Sequence, residues 1–124
     1  MAFTVMLDTS AAIDLLKKGD PAVIKAIDEE TPQEVVISAV TRFELDVAAY
    51  RDRDQIAGIP CLSATCQAFS RAAEMFSGLR KKGKEPQLKD CFIAACAIDS
   101  DAILITRDRD FKEFQEYGLM VKIV

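Results

Sequence analysis

Apolar residues occur along this chain in two kinds of pattern, short concentrated runs and longer stretches with helical spacing. The concentrated runs lie at residues 4–7, 35–37, 102–106 and 119–124. Largely apolar runs of this length are typical of strands that are buried on both faces, as in parallel sheets. The stretches between them carry apolar residues three and four positions apart, as amphipathic helices do. This alternation predicts an α/β fold, a parallel sheet of four to five strands flanked by helices in an α/β/α arrangement.

Residues that can cap helices precede most of these helical stretches. The predicted caps are Thr9 or Ser10, Asp20 followed by Pro21, Ser38, Ser63 and, for a short final helix, Asp110. The helix predicted over residues 63–83 has one apolar face, which we expect to point inward and which carries Cys66, Phe69, Ala73, Phe76 and Leu79. Residues 91–98 are apolar all round, so we expect the helix over residues 87–99 to lie in the core.

The size and composition of the chain predict one domain over residues 1–124. The chain has 124 residues, of which 50% are hydrophobic, enough for one core and too few for two ordinary domains. We find no apolar stretch long enough to span a membrane and no basic segment followed by a signal-peptide core. We therefore expect a soluble, cytoplasmic protein.

The charged and titratable residues narrow the possible chemistry. The chain carries 16 basic and 20 acidic residues, a net charge of -4, which neither indicates nor excludes nucleic-acid binding. It contains no histidine, which excludes Ser-His-Asp and Cys-His nucleophile systems and zinc sites with histidine ligands. Acid–base chemistry would fall to carboxylates, lysine, tyrosine, thiols or metal-bound water.

The four cysteines form two pairs, Cys61 with Cys66 and Cys91 with Cys96, each with four residues between its members. A four-thiolate metal site or two disulfides are possible interpretations. Zinc sites favour shorter spacing, however, and cytosolic thiols stay reduced. We therefore predict that the cysteines are buried small hydrophobic residues.

Four acidic residues stand at the edges of predicted elements: Asp8, Glu44, Asp90 and Asp108. Asp8 follows the first strand; it could simply cap a helix, but Thr9 and Ser10 could take that task. Glu44 is either a solvated helix residue or a member of an apolar helix face that requires a cation or a donor. Asp90 stands at a helix N-terminus, where a negative charge is favourable in any case.

Asp108 follows the third predicted strand and is closer to the strand end than Asp110, so we interpret Asp108 as the site acid. In a parallel sheet with right-handed crossovers, strand ends and the N-termini of the following helices meet at one edge. Ligand chemistry is found at this edge in open α/β sheets. Clustered carboxylates without softer ligands select Mg²⁺ or Mn²⁺.

Taken together, these segments resemble the signature of PIN-domain nucleases. The resemblance rests on Asp8 with Thr9 and Ser10, on residues 38–45, on Asp90 through Ala95, and on residues 106–111. The length and spacing are most similar to VapC-type toxins of prokaryotic toxin–antitoxin pairs. The resemblance implies a metal-dependent endoribonuclease that acts on RNA, uses Mg²⁺ or Mn²⁺, usually forms a homodimer and has a cognate antitoxin protein as partner.

The resemblance also implies roles for individual residues. Asp8, Glu44, Asp90 and Asp108 would form the catalytic acidic quartet. Asp8 and Asp90 match the direct metal ligands, Asp108 would bind metal directly or through water, and Glu44 would hold the site or a second ion. The family often has Asn at the position of Asp108 and an acid a few residues later, so Asp108 and Asp110 stay alternatives. Hydroxyls that would orient the carboxylates are Thr9, Ser10 and Thr106.

Basic residues near these acids are candidates for RNA phosphate contacts. The densest basic run contains Arg80, Lys81, Lys82 and Lys84, and it could equally be a solvated helix end. Arg42, Arg51 and Arg53 flank the Glu44 helix and are further candidates.

Two other functions remain possible from the sequence. An aspartate-dependent phosphatase would normally need a second Asp two residues after Asp8, where Ser10 stands. A catalytically silent PIN-like binding module would need none of the four acids, yet all four are present.

Overall fold

A computed structural model of the chain describes residues 3–48 and 58–124. The strands are β1 (Thr4–Leu7), β2 (Glu34–Ser38), β3 (Cys61–Leu62), β4 (Ala102–Thr106) and β5 (Met120–Ile123). The α-helices are α1 (Thr9–Lys18), α2 (Pro21–Glu30), α3 (Ala39–Val47), α4 (Cys66–Lys81) and α5 (Leu88–Asp99). A 3₁₀ helix spans Arg109–Tyr117. Arg51 and Arg53 lie outside the described residues.

The strands form one parallel sheet in the order β3-β2-β1-β4-β5, with β1 at its centre. Leu7 at the end of β1 is in register with Ile37 of β2 and Ile105 of β4. The C-terminal ends of these three strands therefore lie side by side. The predicted α/β/α class is confirmed. The fifth strand, β3, was not predicted as a strand because its two residues are too few to give a pattern.

Apolar side chains leave the sheet on both faces, so the protein has two core layers. Met6, Val36 and Leu104 point to the layer formed by α4, α5 and the 3₁₀ helix. Val5 and Ile105 point to the layer of α1 and α2. Successive strand residues alternate between the two faces of the sheet, and helices cover both faces. Strand residues that point to either face are therefore packed against helices, which explains why the strands are continuous apolar runs in the sequence. Among the described residues, no helix is long and apolar enough to cross a membrane.

Several helix boundaries follow directly from local chemistry. Asp20 accepts a hydrogen bond from the backbone N–H of Ala22 and precedes Pro21, and Ser38 accepts one from the N–H of Thr41, as predicted. The predicted cap Ser63 is wrong. Thr65 caps α4 instead, because its hydroxyl accepts the N–H of Ala68.

The predicted inward face of α4 is confirmed for Leu79, and Phe76 is half-buried against the core, but the prediction is wrong for Cys66, Phe69 and Ala73. The buried residues of α4 are Ala68, Ala72, Met75 and Leu79, whereas Cys66 and Ala73 are exposed. Phe69 remains 47% exposed at the margin of the face, where its ring contacts Phe92 edge-on with 4.8 Å between centroids. Two alanines on the buried face let α4 approach α5 closely. The large Phe side chains therefore misled the sequence-based assignment.

The cysteines divide into two groups. Cys91 and Cys96 are buried in α5, and burial raises the pKa of the Cys91 thiol to about 11, which keeps it protonated and inert. This agrees with the predicted role as small hydrophobic residues. For Cys61 and Cys66 the prediction is wrong, because both are exposed. All four thiols are free.

The corrected register of α4 predicts unequal costs for two substitutions on that helix. Met75→Ala should lower the free energy of unfolding by about 2–5 kcal/mol, because it leaves a cavity beside Leu79 and the sheet. Ala73→Gln should change it by less than ~0.5 kcal/mol, because residue 73 faces solvent. Urea denaturation followed by circular dichroism measures both values. Similar losses in the two variants would contradict the assigned face.

Candidate active site

A cleft of about 210 Å³ opens at the C-terminal edge of the sheet. It is lined by Asp8, Thr9, Ser10, Glu44, Gln87, Lys89, Asp90, Ile93, Asp108 and Phe111. These residues come from the loop after β1, from α1, α3 and α5, and from the segment after β4. The parallel topology thus brings together four acids that are up to 100 positions apart in sequence.

Asp8 is the most constrained of the four acids and is only 4% exposed. One carboxylate oxygen accepts hydrogen bonds from the Ala11 backbone N–H and the Ser10 hydroxyl, both at 2.9 Å. The other accepts the Thr106 hydroxyl at 2.5 Å. Burial raises the pKa of Asp8 above its usual value, and these donors oppose the rise.

Asp8 is also the N-cap of α1, whereas the sequence predicts Thr9 or Ser10 in that role. That assignment is wrong, because the helix already begins at Thr9 and the hydroxyl of Ser10 donates to Asp8 rather than to the backbone. Capping and site position are therefore combined in one carboxylate. The hydroxyl of Thr106 reaches the same carboxylate from β4 and links the ends of two neighbouring strands.

Glu44 reaches the cleft from the second turn of α3, with 24% of its side chain exposed. Its Oε1 accepts the Thr9 hydroxyl at 2.6 Å, and Thr9 in turn lies 3.2 Å from the hydroxyl of Thr41. Its Oε2 lies 3.2 Å from the Lys89 Nζ. Glu44 is therefore neither a simple surface residue nor a buried unpaired charge: a hydroxyl and an ammonium group hold its two oxygens.

Asp90 lies in the first turn of α5 and is 8% exposed. Burial raises its pKa to about 6, and the negative charges of Asp108, Asp8 and Glu44 add to the rise, while Lys89 opposes it. Among the described residues, no side chain donates a hydrogen bond to this carboxylate. Its charge is thus the least compensated in the cleft.

Asp108 lines the cleft, and it also caps the 3₁₀ helix by accepting the Asp110 N–H at 2.9 Å. The predicted cap, Asp110, is wrong because the helix begins one residue earlier, at Arg109. Asp110 instead lines an adjoining pocket of about 120 Å³ that shares Asp90 with the main cleft. Asp108 and Asp110 therefore both lie near Asp90, Asp108 in the main cleft and Asp110 in the adjoining pocket.

The cleft supplies hard oxygen donors of the kind that Mg²⁺ and Mn²⁺ select, and in this sense its residues fit a divalent metal ion. Within residues 3–48 and 58–124, however, no three acidic or cysteine side chains converge into a ready-made metal cluster. Hydrogen bonds from Thr9 and Thr106 hold oxygens of Glu44 and Asp8.

Of the basic residues predicted to contact RNA, those that the structure describes do not line this cleft. Arg42 pairs with Asp46 at 3.4 Å, Lys84 pairs with Glu113 at 3.5 Å, and Lys82 pairs with Glu116. Arg80 lies over the ring of Phe76 at 5.5 Å, and Lys81 is exposed.

Within the described part of the chain, the basic residue that lines the cleft is Lys89, which is not among the predicted phosphate contacts. A dense basic run is a stronger sequence signal for phosphate binding than a single lysine next to an acid. The sequence signal was the position of Lys89 directly before Asp90 at a helix start.

Comparison with known proteins identifies the family. The PIN domain family model matches residues 5–117, so the chain belongs to the PIN domain family, as the sequence resemblance predicted. No curated protein sequence matches the chain.

Solved structures of VapBC toxin–antitoxin proteins have a similar fold. Examples are DNA-bound VapBC from Salmonella typhimurium (22% identity, 99% of this chain and 98% of that chain covered, TM-score 0.79) and VapBC-5 from Mycobacterium tuberculosis (26%, 98% and 97%, 0.69). A third is Mycobacterium tuberculosis VapC20, a sarcin–ricin loop cleaving toxin (19%, 94% and 96%, 0.64).

The environment of Asp8 predicts that Thr106→Val destabilises the fold although the two side chains have the same shape. The variant removes a donor to a buried carboxylate, which should cost about 1–3 kcal/mol of unfolding free energy and raise the pKa of Asp8 further. Urea denaturation at neutral pH and a carboxyl NMR titration measure these effects. Thr4→Val is the matched control, because Thr4 makes only an exposed 3.4 Å contact with Glu34. Equal losses in both variants would contradict the inferred support of Asp8.

The raised pKa of Asp90 predicts how stability depends on pH when divalent ions are chelated. The folded state holds the Asp90 proton up to about pH 6, whereas the unfolded chain releases it near 3.8. The Asp90 proton therefore stabilises the folded state fully below pH 3.8, the pKa in the unfolded chain. This stabilisation is lost as pH rises through about 6.

Asp90→Asn should abolish that part of the pH dependence and exceed the original protein in stability at pH 8 by about 1–2 kcal/mol. Urea denaturation across pH 4 to 8 in EDTA, an interval of roughly 2 units either side of the folded pKa, tests this. Parallel stability curves for the two proteins would refute the inferred strain at Asp90.

Proposed function

We propose that this PIN-domain chain is a Mg²⁺- or Mn²⁺-dependent endoribonuclease and the toxin of a toxin–antitoxin pair. The observation that carries the proposal is the convergence of Asp8, Glu44, Asp90 and Asp108 on one cleft at the C-terminal edge of a parallel sheet. The cleft repels anionic RNA unless a cation intervenes, so a nuclease built on it needs a metal ion.

In this proposal Asp8 and Asp90 are the principal metal ligands. Asp108 binds the ion directly or through water, Glu44 holds the site or a second ion, and Asp110 is an alternative ligand from the adjoining pocket. The charge on Asp90, which burial and its neighbours disfavour, would be stabilised by a bound cation. Thr9, Ser10 and Thr106 would orient carboxylates, a task for which their hydrogen bonds to Glu44 and Asp8 are suited.

The proposed reaction is hydrolysis of an RNA phosphodiester bond. A bound divalent ion would supply Lewis acidity and lower the pKa of a water molecule, and would offset charge on the leaving oxygen. The chain itself would fix two carboxylates on rigid supports, one at a strand end and one in a core helix. Ile93 and Phe111 line the same cleft and would limit access of bulk water to the carboxylates.

The proposed partners are RNA, a cognate antitoxin and a second copy of the chain. VapBC toxin–antitoxin structures with this fold support the antitoxin, which could inhibit by inserting a basic group among the carboxylates. A homodimer is the usual form in the family, and Phe43 and Val47 leave exposed apolar surface one turn apart on α3. A substrate of cellular RNA implies a cytoplasmic location.

The two rival functions are less compatible with the site. An aspartate-dependent phosphatase would normally need a second acid two residues after Asp8, whereas Ser10 stands there and its hydroxyl donates to Asp8. A silent binding module would be favoured by the lack of a ready-made metal cluster among the described residues. It leaves unexplained why four carboxylates share one cleft despite their mutual repulsion.

The proposal predicts RNA cleavage by the purified protein in Mg²⁺ or Mn²⁺ and none in EDTA. Asp8→Asn and Asp90→Asn should each lower the cleavage rate by at least about 100-fold, because each removes a charged ligand of the proposed ion. Cleavage of several RNA classes, followed on denaturing gels, measures the rates.

Asp28→Asn is the matched control, because Asp28 is an exposed acid of α2 outside the cleft and its loss should leave the rate unchanged. Undiminished cleavage by either site variant would refute the proposed ligands. A folded protein that cleaves no RNA in any divalent ion would instead favour the binding module.

A further inference from the structure

Lys89 is the only basic residue among the described side chains that line the acidic cleft. It is the second residue of α5, where a positive charge is unfavourable because it faces the positive end of the helix dipole. Helix stability therefore does not account for a lysine at this position. Its side chain instead extends to Glu44, with 3.2 Å between Nζ and Oε2.

The contact between Lys89 and Glu44 is easily exchanged. Half of the Lys89 side chain is exposed, and an ion pair with this much solvent access contributes little stability. The lysine stem is flexible, and its ammonium group can turn to a new acceptor without loss of charge. Glu44 keeps its second support, the Thr9 hydroxyl at 2.6 Å, when Lys89 leaves.

The other lysines considered for RNA binding are placed differently. Lys82 and Lys84 are paired with Glu116 and Glu113 of the 3₁₀ helix and do not line the cleft. Four carboxylates around the cleft repel a phosphodiester, so a strand that enters it needs a cation from the protein as well as the proposed metal ion. Lys89 is in position to supply that cation.

We propose that Lys89 is a substrate-binding residue that exchanges Glu44 for a phosphate of the RNA strand when the strand enters the cleft. The inference rests on the proposed ribonuclease function and names one further residue of that site. The exchange also frees Oε2 of Glu44 from its ion pair. Lys89 thus shields the acids in the free protein and contacts the backbone of the substrate in the complex.

The test measures single-turnover RNA cleavage at fixed Mg²⁺ over a series of KCl concentrations. It gives the enzyme concentration for half-maximal rate, K1/2, and the slope of log(1/K1/2) against log[KCl]. Loss of one phosphate contact to single-stranded RNA flattens this slope by roughly 0.7. Lys89→Met should therefore raise K1/2 several-fold at low salt and flatten the slope by about 0.7, whereas Lys89→Arg should retain the original slope.

The matched control is Lys25→Met, which removes one exposed positive charge from α2, outside the cleft, and should leave K1/2 and its slope unchanged. A Lys89→Met variant that loses maximal rate but keeps the original slope would overturn the inference, because Lys89 would then act only by holding Glu44. Equal flattening in Lys25→Met would overturn it as well. Absence of cleavage by the unaltered protein would refute the ribonuclease function itself, and the inference with it.

Discussion

The carboxylate of Asp8 is buried where the ends of β1 and β4 meet the start of α1, and its hydrogen bonds join these three elements. Ser10 and the Ala11 N–H approach from the helix, and Thr106 approaches from the neighbouring strand. A buried carboxylate is costly unless donors surround it. The ends of β1 and β4 and the start of α1 are therefore constrained to keep these donors in place. The Asp8 carboxylate is thereby fixed in position, and the other cleft residues surround it.

The other acids add electrostatic strain to this fixed charge. Asp90 is buried, its carboxylate accepts no hydrogen bond from a side chain among the described residues, and burial and neighbouring carboxylates raise its pKa to about 6. Such strain is typical of functional sites, where like charges are held together for a purpose other than stability. The positive charge of Lys89 opposes part of this repulsion, and its ammonium group also pairs with Glu44. The proposed metal ion would relieve the remainder.

Most of the architecture was predictable because it depends on local patterns. Apolar runs, helix caps such as Asp20 and Ser38, and the all-apolar helix before Asp99 predicted the elements and their alternation. The errors have identifiable causes. The face of α4 was misassigned because Phe69 and Phe76 outweighed the alanines that permit close contact with α5, and β3 was missed because two residues carry no periodicity.

The sequence by itself determined that the chain forms a parallel α/β sheet, that acids follow its strands, and that histidine chemistry is absent. These conclusions depend only on the amino-acid composition and on patterns of residues close together in the sequence. Tertiary structure alone decided the strand order, which brings Asp8, Glu44, Asp90 and Asp108 to one cleft. It also decided which partners hold each acid, because Thr106 and Lys89 reach Asp8 and Glu44 across 98 and 45 positions of the chain. No local pattern encodes contacts over such separations, since they exist only after the sheet has assembled.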